Sequence, residues 1–256
     1  MNKPLIIPYI LVSTLIVINT VIYCKYVLVD EDNIKLFIKW IPALLLWIQS
    51  FNSAIIYQKQ NDRKSVIYAS LFGLGYVFCG IGDIILIFPG WSMYISAMIL
   101  FMIAYLWFGS AQISDIRSFP NPNKSIGKFI ILTIFWLVSL FGLIYLILQI
   151  AQNQEYDNIA FIIGVSIYFF AMMYAGILSC IKFLLYQTLV SALSFIGIIL
   201  FIISDFIMVL HDVRYNLVEL EIAVMVLYWM GLTILSWSVC QKKVQYVILP
   251  NSEINF

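Results

Sequence analysis

Two aspartates interrupt stretches that are otherwise apolar: Asp83 in GIGDIIL and Asp205 in FIISDFIM. A carboxylate at membrane depth is costly unless it faces a packed interior, a partner or water, so each marks a candidate site. Burial disfavours the charged form of a carboxyl and a nearby cation favours it, so two carboxyls in unlike surroundings can divide into an acid and a base. Such a pair suits reactions that pass through an oxocarbenium-like cation. Glycoside hydrolysis is one of these. Vinyl-ether hydrolysis is another: a proton goes to the vinyl carbon and water attacks the cation. The membrane setting points to a lipid substrate with one apolar chain.

Other chemistries find less support. There is no G-x-S-x-G elbow, and His211 is the single histidine, which leaves little basis for a Ser-His-Asp system or a histidine metal site. His211 reads as an interfacial loop residue beside Asp212. Cys24, Cys79, Cys180 and Cys240 are far apart in or beside apolar segments and read as small packing residues. Neither the histidine nor the cysteines give a basis for a metal site. Two alternatives stay open for the aspartates. They could be structural, with Asp83 bonding across helices and Asp205 pairing with Lys39, or they could couple protons or ions to transport.

The elements that would position these residues are membrane helices. The 256 residues are 63% hydrophobic and 11% charged, against roughly 25% charged in a soluble domain. The net charge of +1, with no basic run, gives no electrostatic case for nucleic acid. The spacing predicts an all-α polytopic membrane protein, one transmembrane domain over residues 1–256. Its bundle of about eight helices lies near 5–24, 36–56, 66–87, 92–111, 127–149, 158–180, 188–210 and 219–240. Polar and turn-forming stretches separate them: DEDNIK, QKQNDRK, FPG, SDIRSFPNPNK, QNQEYDN and HDVRYN. The first helix is too long for a signal-peptide core and lacks an A-x-A cleavage pattern, so it reads as retained.

Lysine and arginine set the orientation. Lys3, Lys59, Arg63, Lys64, Arg117, Lys124, Lys128, Lys182, Lys242 and Lys243 fall on one side, ten against the four of Lys25, Lys35, Lys39 and Arg214. Both termini are therefore expected in the cytoplasm. Asp30, Glu31, Asp32, Glu155 and Asp157 fall on the opposite side. Helices three and seven then run outward and carry Asp83 and Asp205 roughly 6–9 Å below that interface, at about 1.5 Å per residue. Lys39 opens helix two on the same side, and Tyr228 lies within helix eight at a similar depth. Gly73, Tyr76, Gly80 and Asp83 share one stripe of helix three, whose glycines would let a neighbour approach. Lys39, Pro42, Gln49 and Ser53 share a face of helix two; Ser194, Phe201, Asp205 and Met208 one of helix seven; Glu221, Met225 and Tyr228 one of helix eight. Helix five is almost free of polar residues and reads as peripheral. Tyr9, Trp40, Trp91 and Trp237 read as interfacial anchors. The expected object is a bundle around a small polar chamber.

These residues resemble the lysoplasmalogenase family, the YhhN-like eight-helix membrane hydrolases. The matching pieces are Lys39-Trp-Ile-Pro42, Gly82-Asp83-Ile-Ile-Leu86 and Phe201-Ile-Ile-Ser204-Asp205, with Met225-x-x-Tyr228 a weaker match. The resemblance implies hydrolysis of the vinyl-ether bond of lysoplasmalogens to a fatty aldehyde and glycerophosphoethanolamine or glycerophosphocholine, without a cofactor. On this reading Asp83 and Asp205 are the catalytic residues; Lys39 either tunes a carboxylate or binds the phosphate, Tyr228 orients a carboxyl or water, and Tyr105 joins them as a substrate-binding residue that can donate a hydrogen bond. Its partners would be the lysophospholipid and membrane lipids, and its setting the endoplasmic reticulum or another internal membrane. Two positions depart from the family pattern. Tyr105 stands where the fourth helix typically carries a histidine, and Leu232 where the eighth carries a glutamine. A phenol, with a reference pKa of about 10, donates a hydrogen bond but is no base at neutral pH. These departures also admit a lipid-binding member with reduced catalysis.

Overall fold

The computed structural model describes residues 3–29, 38–88, 90–117, 126–152, 159–211 and 217–241. Asp30, Glu31, Asp32, Lys35, Pro89, Lys124, Glu155, Asp157, Asp212, Arg214, Lys242 and Lys243 lie outside these residues, as do the side chains of Lys3, Trp91 and Lys128. The described residues form eight long helices and no strand. They are α1 Lys3–Val29, α2 Ile41–Lys59, α3 Arg63–Ile85, α4 Trp91–Ile116, α5 Ile126–Gln152, α6 Ile159–Tyr186, α7 Leu189–Leu210 and α8 Val218–Cys240.

Local chemistry explains several boundaries. Pro42 stands in the first turn of α2, where a missing N–H costs nothing. Asp62 caps α3 by accepting from the Ser65 amide at 3.2 Å and the Ser65 hydroxyl at 2.6 Å. Thr188 and Ser191 form a reciprocal capping box at the start of α7. Other helices run past their apolar windows. α4 continues through Ser114 and Asp115 to Ile116, and α6 continues through Lys182 to Tyr186. These turns were expected to be loop or helix end.

Six helices are long and apolar enough to cross a membrane: α1, α3, α4, α6, α7 and α8. α2 falls short because it carries Gln49, Ser50 and Ser53, and all three are buried inside the bundle. Neighbouring helices receive these three side chains, whereas Asn52 on the same helix is exposed. Within α5 the apolar stretch is Ile131–Tyr145.

Seven helices close a ring in the order α1, α2, α3, α4, α6, α7, α8 and back to α1. α8 also reaches across to α2 and α3, while α5 packs outside against α6 and α7. The α5 contact centres on Leu143, Phe169 and Met173. α7 and α8 make the closest crossing. A Cβ at Gly231 would lie 2.8 Å from the Gly197 carbonyl oxygen, and one at Gly197 would lie 2.8 Å from the Gly231 oxygen. Only glycine permits that backbone contact. On α3 the expected close approach is milder, since a Cβ at Gly73 or Gly80 would meet α2 atoms at 3.7 and 3.4 Å.

One anchoring expectation changes. Tyr9 is 1% exposed and hydrogen-bonds Ser53 at 2.8 Å, so it is a core residue joining α1 to α2. Trp237 donates to the Ser13 hydroxyl at 2.9 Å and joins α8 to α1.

Candidate active site

Asp83 and Asp205 are both buried, at 1% and 4% exposure, and each is held by phenols from other helices. Tyr228 of α8 donates to Asp83 Oδ2 at 2.9 Å. Tyr105 of α4 donates to Asp205 Oδ2 at 2.8 Å, and Tyr168 of α6 donates to the same oxygen through a short hydrogen bond. The carboxylates therefore differ in surroundings. Asp205 receives two phenols on one oxygen and Asp83 receives one.

Aromatic rings join the two sites. Phe201, one turn before Asp205, stacks on Tyr105 with centroids 4.5 Å apart and lies 5.3 Å from Tyr228. Phe101 meets both Phe201 and Tyr228 edge-on, at 6.4 and 6.1 Å. A single wall of Phe101, Tyr105, Phe201 and Tyr228 thus supports the phenols of both carboxylates. Aromatic pairs of this kind hold ring orientation and exclude water. Cys79, one turn before Asp83, is fully buried and lies against Tyr228.

Lys39 precedes α2 and is half-buried. It lies within electrostatic reach of Asp83, as does Asp205. The stripe predicted on α2 is otherwise seen as expected, with Pro42, Gln49 and Ser53 buried. On α8, Glu221 accepts from Tyr23 of α1 at 3.0 Å. All five candidate residues named from the sequence (Lys39, Asp83, Tyr105, Asp205 and Tyr228) therefore stand in or beside one cluster, although Lys39 is not bonded to either aspartate. His211 caps the C-terminus of α7.

Two groups were not foreseen. Tyr168 completes the Asp205 site. It is one of 16 tyrosines, and nothing in its local sequence separates it from the others. The second group lies toward the other end of the bundle. Lys182 Nζ and Asp115 Oδ2 form an ion pair at 2.8 Å with both side chains at 0% exposure. Lys182 also donates to the Tyr68 hydroxyl at 2.8 Å and sits 4.4 Å from the Tyr68 ring centre. Tyr68 in turn hydrogen-bonds Ser238 of α8 at 3.2 Å. Lys182 is therefore not the free interfacial charge its position suggested.

The model of the YhhN family matches residues 34–239. The chain belongs to the YhhN family. That family includes lysoplasmalogenases. No match is found among curated proteins or solved structures. In this YhhN-family chain the matched span takes in every residue of the two carboxylate sites, from Lys39 to Tyr228. The two departures from the family pattern have visible consequences. Tyr105 is one of the two donors to Asp205. Leu232 is a fully buried core residue whose backbone carbonyl accepts from Tyr76 at 3.3 Å.

Proposed function

We propose that the protein hydrolyses the vinyl-ether bond of lysoplasmalogens, releasing a fatty aldehyde and glycerophosphoethanolamine or glycerophosphocholine. The observation that carries this reading is the pair of buried carboxylates with unequal phenol donors, in a chain of this family. One carboxylic acid gives its proton to the vinyl carbon remote from the ether oxygen, and the adjacent carbon becomes an oxocarbenium-like centre. The second group, as carboxylate, stabilises that cation and takes a proton from the attacking water. The resulting hemiacetal collapses to aldehyde and alcohol: the second group gives its proton to the alcohol oxygen as the C–O bond breaks, and the first takes the proton of the hemiacetal hydroxyl, which restores both carboxyls. No group beyond water is consumed.

We assign the acid to Asp83 and the anion to Asp205. Hydrogen bonds donated to a carboxylate stabilise its charged form, and Asp205 receives two such bonds while Asp83 receives one. The Lys39 charge near Asp83 acts the other way; in the bound complex the substrate's phosphate engages it. Tyr105, Tyr168 and Tyr228 hold the carboxyl groups in place, and the ring wall limits water to what the reaction needs. In this reading the protein sits in the endoplasmic reticulum or another internal membrane, with both termini in the cytoplasm.

The test uses detergent-purified protein, an alkenyl lysophospholipid and its saturated alkyl-ether analogue, with fatty aldehyde followed by mass spectrometry. Aldehyde should come from the vinyl ether alone. Asp83→Asn and Asp205→Asn should each lower the rate by at least about a hundredfold, the lower range for positioned acid–base groups, while eluting as folded protein. Full activity in both variants would rule the mechanism out. A rival reading, proton- or ion-coupled transport of a small amphiphile, rests on the same aspartates and predicts flux across liposomes without chemical change.

A further inference from the structure

Two apolar grooves open on the outside of the ring, one beside each carboxylate. The first, of about 240 Å³, lies between α4 and α6 and is lined by Met98, Met102, Val165 and Tyr168, among others. The second, of about 220 Å³, lies between α2 and α3. Its walls include Trp40, Leu44 and Trp47 on one side and Val77, Gly80 and Ile84 on the other. They are of similar size and both apolar, but only one starts next to a basic residue. Lys39 immediately precedes Trp40, which lines the α2–α3 groove, and it lies within electrostatic reach of Asp83. For the α4–α6 groove the nearest basic residues along the two helices are Arg117 and Lys182, both toward the opposite ends. Lys182 is moreover taken by Asp115.

We infer that the α2–α3 groove is the seat of the substrate's hydrocarbon chain, with Lys39 at its mouth holding the phosphate. This rests on the proposed lysophospholipid substrate and adds where that lipid lies. Along α2 the lining runs from Trp40 to Trp47, roughly 10 Å at 1.5 Å per residue. Cation and apolar groove are thus arranged in the order of a single-chain phospholipid: anionic head at one end, alkyl chain leading away. Asp83 stands one turn along α3 from Gly80, near the Lys39 end, where the head joins the chain. Gly80 and Ala43 form a floor of small residues, since a Cβ at Gly80 would already lie 3.4 Å from that of Ala43. Val77 and Leu44 are half-buried on the rim. Larger side chains there would fill the groove without entering the packed core.

The experiment uses the intact protein and a lysophospholipid whose chain is attached by a saturated ether and carries a diazirine near its head end. The probe binds but has no vinyl ether to cleave, so the result does not depend on catalysis. After illumination, peptide mass spectrometry should place label on Trp40, Leu44, Ile81 or Ile84, the lining residues nearest the head end. Val77→Trp should cut that labelling at least tenfold, and Ile99→Trp, in the other groove, should leave it unchanged. Lys39→Gln should weaken labelling by this probe at least fivefold, yet not labelling by the matching alkylglycerol without phosphate. Label concentrated on Met98, Met102 or Val165 would overturn the assignment, as would label spread evenly over the surface or absent altogether. In parallel, wild-type aldehyde release from the alkenyl lipid tests the activity. Correct labelling without aldehyde leaves the seat standing and removes the hydrolase reading; aldehyde with label in the α4–α6 groove does the reverse.

Discussion

At the scale of single residues, the least expected feature is that two tyrosines donate to one oxygen of Asp205. A hydrogen bond to a charged group contributes roughly 1.5–3 kcal/mol, equivalent to about ten- to a hundredfold in rate if it is made to the reacting anion. Tyr168→Phe is expected to slow aldehyde release within that range, and Tyr105→Phe similarly. The double variant should lose less than the product of the two, because the phenols share an acceptor; strictly multiplicative losses in kcat would show that they act separately. The buried pair Lys182–Asp115 gives a different kind of prediction. Removing one partner of a buried ion pair costs about 3–5 kcal/mol, so Lys182→Met should lower the thermal midpoint markedly in detergent. Lys182→Met combined with Asp115→Leu should recover much of it, and a single variant as stable as wild type would contradict the ion pair. Both aspartates of the site were legible in the sequence because a charge in an apolar run is rare and costly. Tyr168 was not, because a tyrosine in a membrane helix is common and only a partner on another helix gives it meaning. Lys182 and Asp115 were concealed for another reason. Each lies beyond the twenty-residue window that a bilayer suggests, in helical turns that composition alone reads as the start of a loop.

At the scale of elements, the α7–α8 crossing and the α4–α6 groove make opposite demands on glycine. Gly231→Ala would force a Cβ against a backbone carbonyl at 2.8 Å, and overpacking of this kind costs typically about 1–3 kcal/mol. Gly164 has no atom within 4 Å of a built Cβ, and alanine is favoured over glycine in a helix by roughly 0.8–1.0 kcal/mol. Gly231→Ala is therefore expected to lower the thermal midpoint and Gly164→Ala to hold or raise it, measured side by side by intrinsic fluorescence. Equal responses would mean that the backbone contact is not tight. The helix order and the outward position of α5 follow from hydropathy. Which glycines matter does not. Gly73 and Gly80 form the more regular stripe, yet the tighter contact belongs to Gly197 and Gly231, because backbone approach depends on the partner helix as much as on the residue itself.

At the scale of the whole molecule, eight membrane crossings would put both chain ends on one side. Lys182 leaves the tally of loop charges once its burial with Asp115 is known, and nine basic residues still face four. We expect both termini on the cytoplasmic face. Tags placed at each end and challenged with protease in sealed vesicles should be cut from that face only; cleavage of either from the opposite face would reverse the topology. The closed ring itself was not legible, since periodicity shows that helices exist and not which of them touch.

The order in which the chain is made gives α8 a further consequence. It is made after the other seven described helices, and the phenols of Tyr57 and Tyr76 donate to its backbone carbonyls at Val239 and Leu232, while Tyr68 bonds its Ser238. Until α8 arrives, α2 and α3 present hydroxyl groups that hydrocarbon cannot satisfy, and α1 lacks the neighbour that receives Tyr23 and supplies Trp237. The packing of α1, α2 and α3 is therefore completed only by α8. A chain stopped before α8 is expected to leave these hydroxyls without their α8 partners, and so to be held less tightly than the full bundle.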